Sequence, residues 1–174
     1  EILRIWEPLS PLVVLGRSSP IRDEVNLEFC EEQNIPVMRR ASGGQAVVTG
    51  PGCLMYCVLL SYETRPELRM LDHAHQFVMG AIGEQLRRAG IQAKMRGTCD
   101  LTIDGRKVSG NSLRCKRNFL IYHGTLLYGL PVELIQNCLG KPIRQPEYRQ
   151  QRTHAHFLQW INLSREQLRA CLIQ

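Results

Sequence analysis

Asp104-Gly105-Arg106-Lys107-Val108-Ser109-Gly110-Asn111-Ser112 opens on the strongest short hairpin signal in this chain. Both residues of an Asp-Gly pair tolerate positive φ, so the pair turns a strand over 100–103 back onto one that begins near Arg106. Lys107 then lies just past a tight turn. The run Ser109-Gly110-Asn111-Ser112 is too small and polar for ordinary core, so backbone there can approach a ligand closely. A cation beside accessible backbone suits an anion. Arg39-Arg40-Ala41-Ser42-Gly43-Gly44-Gln45-Ala46-Val47-Val48 points the same way. Its guanidinium donors and free backbone N–H groups converge on one loop between two apolar runs, and such a loop can hold a phosphate. Strand neighbours face opposite sides, so one of the two arginines faces the site, and Arg40 is the choice.

Outward from the hairpin, Lys116-Arg117-Asn118 is a polar turn and 119–127 returns as a strand. Upstream, 68–89 reads as the main helix, with Leu71, Ala74, Val78, Ala81, Ile82 and Leu86 at helical spacing and Gly90 as its stop, followed by a strand over 91–95. The segment 53–60 lacks alternation and suits a strand buried on both faces, with Cys53 and Cys57 inside it, entered through a Gly50-Pro51-Gly52 turn. Residues 36–40 and 45–49 are strands on either side of the glycine loop. Residues 23–33 form a short helix carrying Val25, Phe29 and Cys30, stopped by Asn34. Strands over 2–6 and 11–16 are split by Pro8 and Pro11. Downstream, a helix over 132–139 ends at Gly140 and Pro142, and 147–174 is helical in pattern with Arg149 and Arg152 as a second positive cluster. Seven or eight strands with a few helices, and no regular βαβ alternation, imply one α+β domain over 1–174 built on a mixed, mainly antiparallel β-sheet flanked by helices.

The 174 residues carry 22 Lys and Arg against 16 Asp and Glu, a net charge of +6 that favours acidic partners or phosphorylated ligands. Seven scattered cysteines without a CxxC pair read as packing thiols of a reduced, cytoplasmic protein. The longest apolar run is far below the ~20 residues of a spanning helix, and no signal peptide is visible. His73, His75, His154 and His156 lack the cysteines or carboxylates that would complete a metal site and read as helical surface.

Three blocks in order resemble the signatures of lipoate-protein ligases, within the larger biotin/lipoate ligase family. These are Arg39-Arg40-x-Ser42-Gly43-Gly44-x-Ala46-Val47, then Asp100-Leu101 with Gly105-Arg106-Lys107-Val108-Ser109-Gly110-Asn111-Ser112, then His123-Gly124-Thr125-Leu126-Leu127. The resemblance covers about residues 2–163. It implies the biotin/lipoate ligase-like catalytic fold and activation of lipoate or octanoate with ATP and Mg²⁺ to an acyl-adenylate. The acyl group would then pass to a lysine of a lipoyl carrier domain, in a dehydrogenase complex or the glycine cleavage H protein.

Residue by residue, the resemblance makes Lys107 the catalytic lysine, bridging the α-phosphate and the acyl carbonyl as oxygen charge develops. Arg40 matches the phosphate-binding arginine of the loop, and Ser42, Gly43, Gly44, Gln45, Ala46, Val47 and Val48 match the segment that passes the adenylate. Ser109 and Gly110 complete that surface. Asp100 matches an acid beside the nucleotide and is the candidate Mg²⁺ ligand. His123 and Thr125 belong to the third block without an assigned role, and Val47, Leu59 and Leu126 are candidates for the apolar acyl slot. Gln45 stands where such ligases have a third glycine, Gly50-Pro51-Gly52-Cys53 replaces their Asp-Leu-Gly-Asn-like turn, and Cys99 stands where Asn is common. The family's N-terminal helix and C-terminal accessory domain have no counterpart in these residues, so a separate accessory domain is a possible partner.

A transferase of this family would instead hold the acyl group as a thioester, for which Cys99 is the candidate; Cys138 lies near another transferase's nucleophile, a position that itself falls on Lys141. A nucleic-acid-binding module is the reading from a different class, resting on the net charge and on Arg114-Cys115-Lys116-Arg117. Few aromatics interleave that run, and an acidic carrier domain accounts for the charge more simply.

Overall fold

Asp104 and Gly105 adopt φ of 48° and 73°, the paired left-handed conformation that a two-residue hairpin turn requires. They join β7 (Asp100–Ile103) to β8 (Arg106–Cys115) in a computed structural model that describes residues 1–140 and 145–173. β8 turns through residues 116–118 into β9 (Phe119–Leu127), which pairs on its other side with β5 (Cys53–Ser61). β1 (Ile2–Trp6) and β6 (Lys94–Arg96) are the edges of the resulting six-stranded sheet, ordered β1-β5-β9-β8-β7-β6, in which every neighbouring pair is antiparallel. A second sheet is smaller and mixed. Its middle strand β2 (Leu12–Leu15) runs parallel to β3 (Val37–Arg39) and antiparallel to β4 (Val47–Thr49). The fold is the α+β arrangement expected, with nine strands among the described residues.

Two cores lie on opposite sides of the large sheet because β9 alternates. Leu120, Tyr122 and Leu126 are fully buried on one face, while Ile121, His123 and Thr125 face the other way. The first face is covered by a long helix, Leu71–Arg88, whose Ala74, Val78, Met79, Ile82 and Leu86 join Leu54, Tyr56 and Leu126 in one cluster. Burial contributes roughly 1.5–3 kcal/mol for each large apolar side chain, which outweighs propensity differences of a few tenths. The second cluster joins the small sheet to Leu127 and to short helices at Leu27–Glu32, Val132–Cys138 and His154–Phe157.

In chain order the helices are α1 (Ile21–Glu24), α2 (Leu27–Glu32), α3 (Leu71–Arg88), α4 (Val132–Cys138), α5 (His154–Phe157) and α6 (Arg165–Ile173). The expected helix over 23–33 is therefore two helices. Val25 forms a β-bridge with Leu139, and Asn26 donates its N–H to Cys138 O while its side chain caps α2, so tertiary partners take the backbone groups a continuous helix would use. Asn34 ends the segment at φ 52° as expected. α3 starts later than expected, after a 3₁₀ turn at Pro66–Arg69 and an extended Met70. The strand expected over 91–95 is shifted to Lys94–Arg96. The tail is three short pieces rather than one helix: Gln150 and Gln151 at φ 50° and 57° break it after a 3₁₀ turn at Glu147–Arg149, and residues 158–164 separate α5 from α6. Lys141 and Pro142 lie outside the described residues. No helix among those described is long and apolar enough to cross a membrane.

Candidate active site

A cleft of about 810 Å³ opens on the face of the large sheet opposite α3. Its floor follows the strand register, with Cys57, His123 and Ser112 in one row across β5, β9 and β8, and Met55 paired with Thr125 in the next. One irregularity sets the reacting side. Lys107 pairs with Thr102 and Ser109 with Leu101, so Val108 is an extra residue on β8, a β-bulge. Val108 and Ser109 are both fully buried, and the alternation resumes shifted by one, which brings Lys107 onto the same face as Gly110 and Ser112. Regular pairing would have put Lys107 on the face that Asn111 occupies.

Lys107 Nζ lies 2.7 Å from Asp100 Oδ1, and the Tyr148 hydroxyl donates to Asp100 Oδ2 at 2.6 Å. Gly110 lies beneath the ammonium, where an added Cβ would stand 2.9 Å from both Lys107 Cε and Nζ. Asn111, on the other face of β8, ties the strand down: its Nδ2 donates to Cys99 O at 2.9 Å and Ser109 Oγ at 3.1 Å, and its Oδ1 accepts from the Tyr56 hydroxyl.

The wall opposite Lys107 is the glycine loop. Arg40 donates to Val14 O at 3.0 Å, Gly43 O at 2.7 Å, Gln45 O at 2.9 Å and Ser42 Oγ at 3.2 Å. Much of its hydrogen-bonding capacity therefore goes into folding the loop. Partial burial lowers its pKa, yet a guanidinium stays charged at neutral pH, so the loop presents a half-buried cation. Arg39 points away and binds Gly16, Arg17 and Ser19 carbonyls, and of the two arginines it is Arg40 that lines the cleft. Gly16 is needed here, since a Cβ there would fall 1.7 Å from Gly44 O. Ser42 Oγ contacts His123 Nε2 at 2.6 Å, Ser112 Oγ donates to Gly43 O at 3.0 Å, and Glu24 Oε2 accepts from Ala46 N at 2.6 Å.

The cleft thus brings together Lys107, Asp100, Cys99, Gly110, Arg40, Ser42, Gly44, Gln45, Ala46, Val47, Val48, His123 and Thr125. Gly43 and Ser109 do not line it; Ser109 is buried with Asn111, and Gly43 acts through its carbonyl. Of the apolar candidates, Val47 lines the cleft. Leu126 faces the α3 core instead, as the alternation of β9 dictates, and Leu59 lies beyond the lining. Cys57 is half-buried and faces the cleft rather than being enclosed in its strand.

Tyr148, Arg149 and His154 were not read as site residues, and their signal was the cluster of basic and aromatic side chains over 148–157. His154 lines the cleft rather than decorating a helix surface, and His75 bonds the buried Tyr122 hydroxyl at 2.9 Å. The basic run at 114–117 is not a single patch: Arg114 lines the cleft, and Arg117 O accepts from Arg69.

Burial, then Asp100, pushes the Cys99 thiol up, and burial pushes Cys57 up, so neither cleft thiol is activated as a nucleophile. Among the described residues no group of three or more His, Cys, Asp or Glu side chains is placed to hold a metal. Burial, followed by the nearby cations Arg40 and Arg149 respectively, lowers both His123 and His154 to about 4. Unfolding returns both toward 6.5. The unfolded chain then binds more protons between those values, so stability is expected to fall by a few kcal/mol as pH drops from about 6.5 to 4. Urea titrations at pH 7 and 4.5 should show the loss, and a His123→Gln/His154→Gln variant should show a smaller one.

A sequence-family model described as the lipoyl protein ligase A/B catalytic domain matches residues 1–168. The chain belongs to this family. As a lipoyl protein ligase A/B catalytic domain it is 30% identical to the lipoate-protein ligase LplJ of Bacillus subtilis over 129 residues, covering 74% of this chain and 38% of that protein. It is 32% identical to a lipoate–protein ligase of Streptococcus pyogenes over 145 residues, covering 78% and 38%. The chain thus spans well under half the length of these relatives. Among solved structures, its fold matches the bi-partite lipoate protein ligase of Thermoplasma acidophilum, described with its E2 lipoyl domain, at a TM-score of 0.83 and 19% identity, over 98% of this chain and 68% of that one. It matches Plasmodium falciparum LipL1 in complex with lipoate at 0.78 and 22%, over 98% and 45%, and a lipoate-protein ligase A bound with ATP at 0.72 and 20%, over 98% and 69%. In this lipoyl protein ligase A/B domain the first signature block is the loop wall, the second is the bulged β8 with Lys107, and the third is β9 on the floor.

Proposed function

We propose that this chain is the catalytic domain of an enzyme that activates lipoate or octanoate with ATP to an acyl-adenylate and passes the acyl group to a lysine of a lipoyl carrier domain. The observation that carries the reading is the division of the cleft. A polar centre of Arg40, Ser42, His123, Asp100 and Lys107 lies between an apolar flank of Trp6, Met55 and Cys57 and an apolar end of Leu127, Ile135, Phe157 and Leu158. An acyl-adenylate has that pattern: an apolar chain, a charged phosphate and a flat base. Similarity to proteins solved with lipoate, with ATP and alongside an E2 lipoyl domain supports the same assignment.

In the first step a carboxylate oxygen of the acid attacks the α-phosphorus, an O–P bond forms and pyrophosphate leaves. In the second, the carrier lysine amine attacks the acyl carbonyl and AMP leaves. Both steps gather negative charge on oxygens beside Lys107, which has three N–H donors and gives one of them to Asp100. The loop contributes the half-buried charge of Arg40 together with the backbone of Gly44 and Gln45, and Ala46, Val47 and Val48 pass the nucleotide. Asp100 is the carboxylate beside Lys107 that suits Mg²⁺, an ion that keeps several waters and draws further ligands from phosphates, so a single protein carboxylate is enough. The carrier would belong to a dehydrogenase complex or be the glycine cleavage H protein, in the cytoplasm, with a separate accessory domain where the enzyme is bi-partite.

The test is pyrophosphate release and bound acyl-AMP on mixing the protein with ATP, Mg²⁺ and lipoate or octanoate. Formation of the adenylate supports the reading. No adenylate, with hydroxylamine-sensitive labelling of Cys99 by octanoyl carrier protein, would replace it with the thioester transferase.

A further inference from the structure

Tyr148 reaches the reacting centre from a segment far from it in sequence, and the surrounding structure is arranged to bring it there. Its hydroxyl donates to the Asp100 oxygen that Lys107 does not use. Its ring rests on Gly97, where an added Cβ would meet Tyr148 Cε1 at 3.4 Å, and on Phe157, with ring centroids 5.4 Å apart. Gly97 sits at φ 56°, in the left-handed region that favours glycine. The segment is clamped to the hairpin that carries Lys107: Arg106 Nη2 donates to Ala155 O at 2.9 Å, Arg152 Nη2 to Gly105 O at 3.1 Å, and Gln159 N to Lys107 O at 2.9 Å. A phenol is protonated at neutral pH and a carboxylate can only accept, so the hydroxyl is the donor of this bond.

A carboxylate free to rotate can grip an ammonium with both oxygens and draw it back against the strand. We propose that Tyr148 is a positioning residue that holds Asp100 by one oxygen, so that Lys107 is anchored through a single N–H and keeps its other two directed into the cleft. The role rests on the adenylation reading above and adds to it a residue outside the three signature blocks. Tyr148 touches Asp100 and acts on the chemistry only through it.

Tyr148→Phe keeps the ring and its packing and removes only the donor. Adenylate formation by this variant is expected to lose about 10- to 100-fold in kcat, the usual weight of a hydrogen bond to a charged group, with KM for the acid and the melting temperature little changed. In an Asp100→Asn background the same substitution should cost almost nothing further, because the two act as one unit. A readout that needs no turnover is the rate at which an amine-reactive reagent labels Lys107, which should differ between wild type and Tyr148→Phe but not in the Asp100→Asn background. Unchanged kcat and labelling, or a fall in melting temperature with kcat intact, would reduce Tyr148 to a tether for its segment and overturn the proposal. Labelling that differs between wild type and Tyr148→Phe, in a protein whose wild type makes no adenylate, would leave the positioning role standing and remove the adenylation reading.

Discussion

Lys107→Ala is expected to lower acyl-adenylate formation and carrier acylation by about 10²- to 10³-fold, on the scale of losing one preorganised donor to developing oxygen charge. The side chain is directed by the β-bulge, is partly buried, and makes its ion pair with Asp100 at 2.7 Å. Removing it leaves Asp100 with the Tyr148 hydroxyl as a donor, so the carboxylate is not left bare. The stability cost should stay near 1–2 kcal/mol, below the 3–5 of a fully buried pair and well below the stability of a typical domain. Lys107→Arg keeps the charge but puts a wide planar group beside Gly110, where the ammonium already lies 2.9 Å from the position of an added Cβ, and should recover only part of the rate. Pyrophosphate release measured beside a thermal melt separates activity from folding. Full activity in Lys107→Ala would refute the assignment of this lysine.

Gly124→Ala is expected to be strongly destabilising. A Cβ at this position would lie 1.8 Å from Asn111 Oδ1 and 2.7 Å from the Tyr56 hydroxyl. Gly124 pairs with Asn111 across β8 and β9 and with Tyr56 across β5, so neither neighbour can retreat without disturbing the centre of the sheet. Displacing Asn111 would break its bonds to Cys99 O and Ser109 Oγ and leave the Tyr56 hydroxyl, which is fully buried and stays protonated, without its acceptor. Overpacking and one orphaned buried hydroxyl each cost roughly 1–3 kcal/mol, giving a loss near 4. For a chain of this size that is a fall in melting temperature of about 8–16 °C. Asn111→Ala combined with Gly124→Ala should cost less than the sum of the two single changes, because the methyl then has room. A melting temperature unchanged by Gly124→Ala would show that β8 yields more easily than its hydrogen bonds imply.

The loop wall and the lysine strand were legible before any coordinates because their signals are local. Asp104-Gly105 specifies its turn through backbone sterics, and α3 declares itself by period. The three signature blocks then group Arg40, Lys107 and His123. Other features depend on contacts between distant segments. Val25 and Asn26 leave the helical pattern because Leu139 and Cys138 satisfy them, and the tail breaks at Gln150 and Gln151 where it folds over the cleft. The place of Lys107 depends on the Val108 bulge, which a period-2 reading does not register. Tyr148 and His154 read as parts of a surface helix until the segment closes on β7 and β8. Local backbone preference and hydrophobic period therefore determined the strands and the hairpin from sequence alone, and the resemblance of the three blocks supplied the family. The face on which each polar group ends, and which side chain holds Asp100 in place, was decided by tertiary structure, because side-chain direction in a bulged strand and partner choice in a buried polar pair are fixed only when the segments meet.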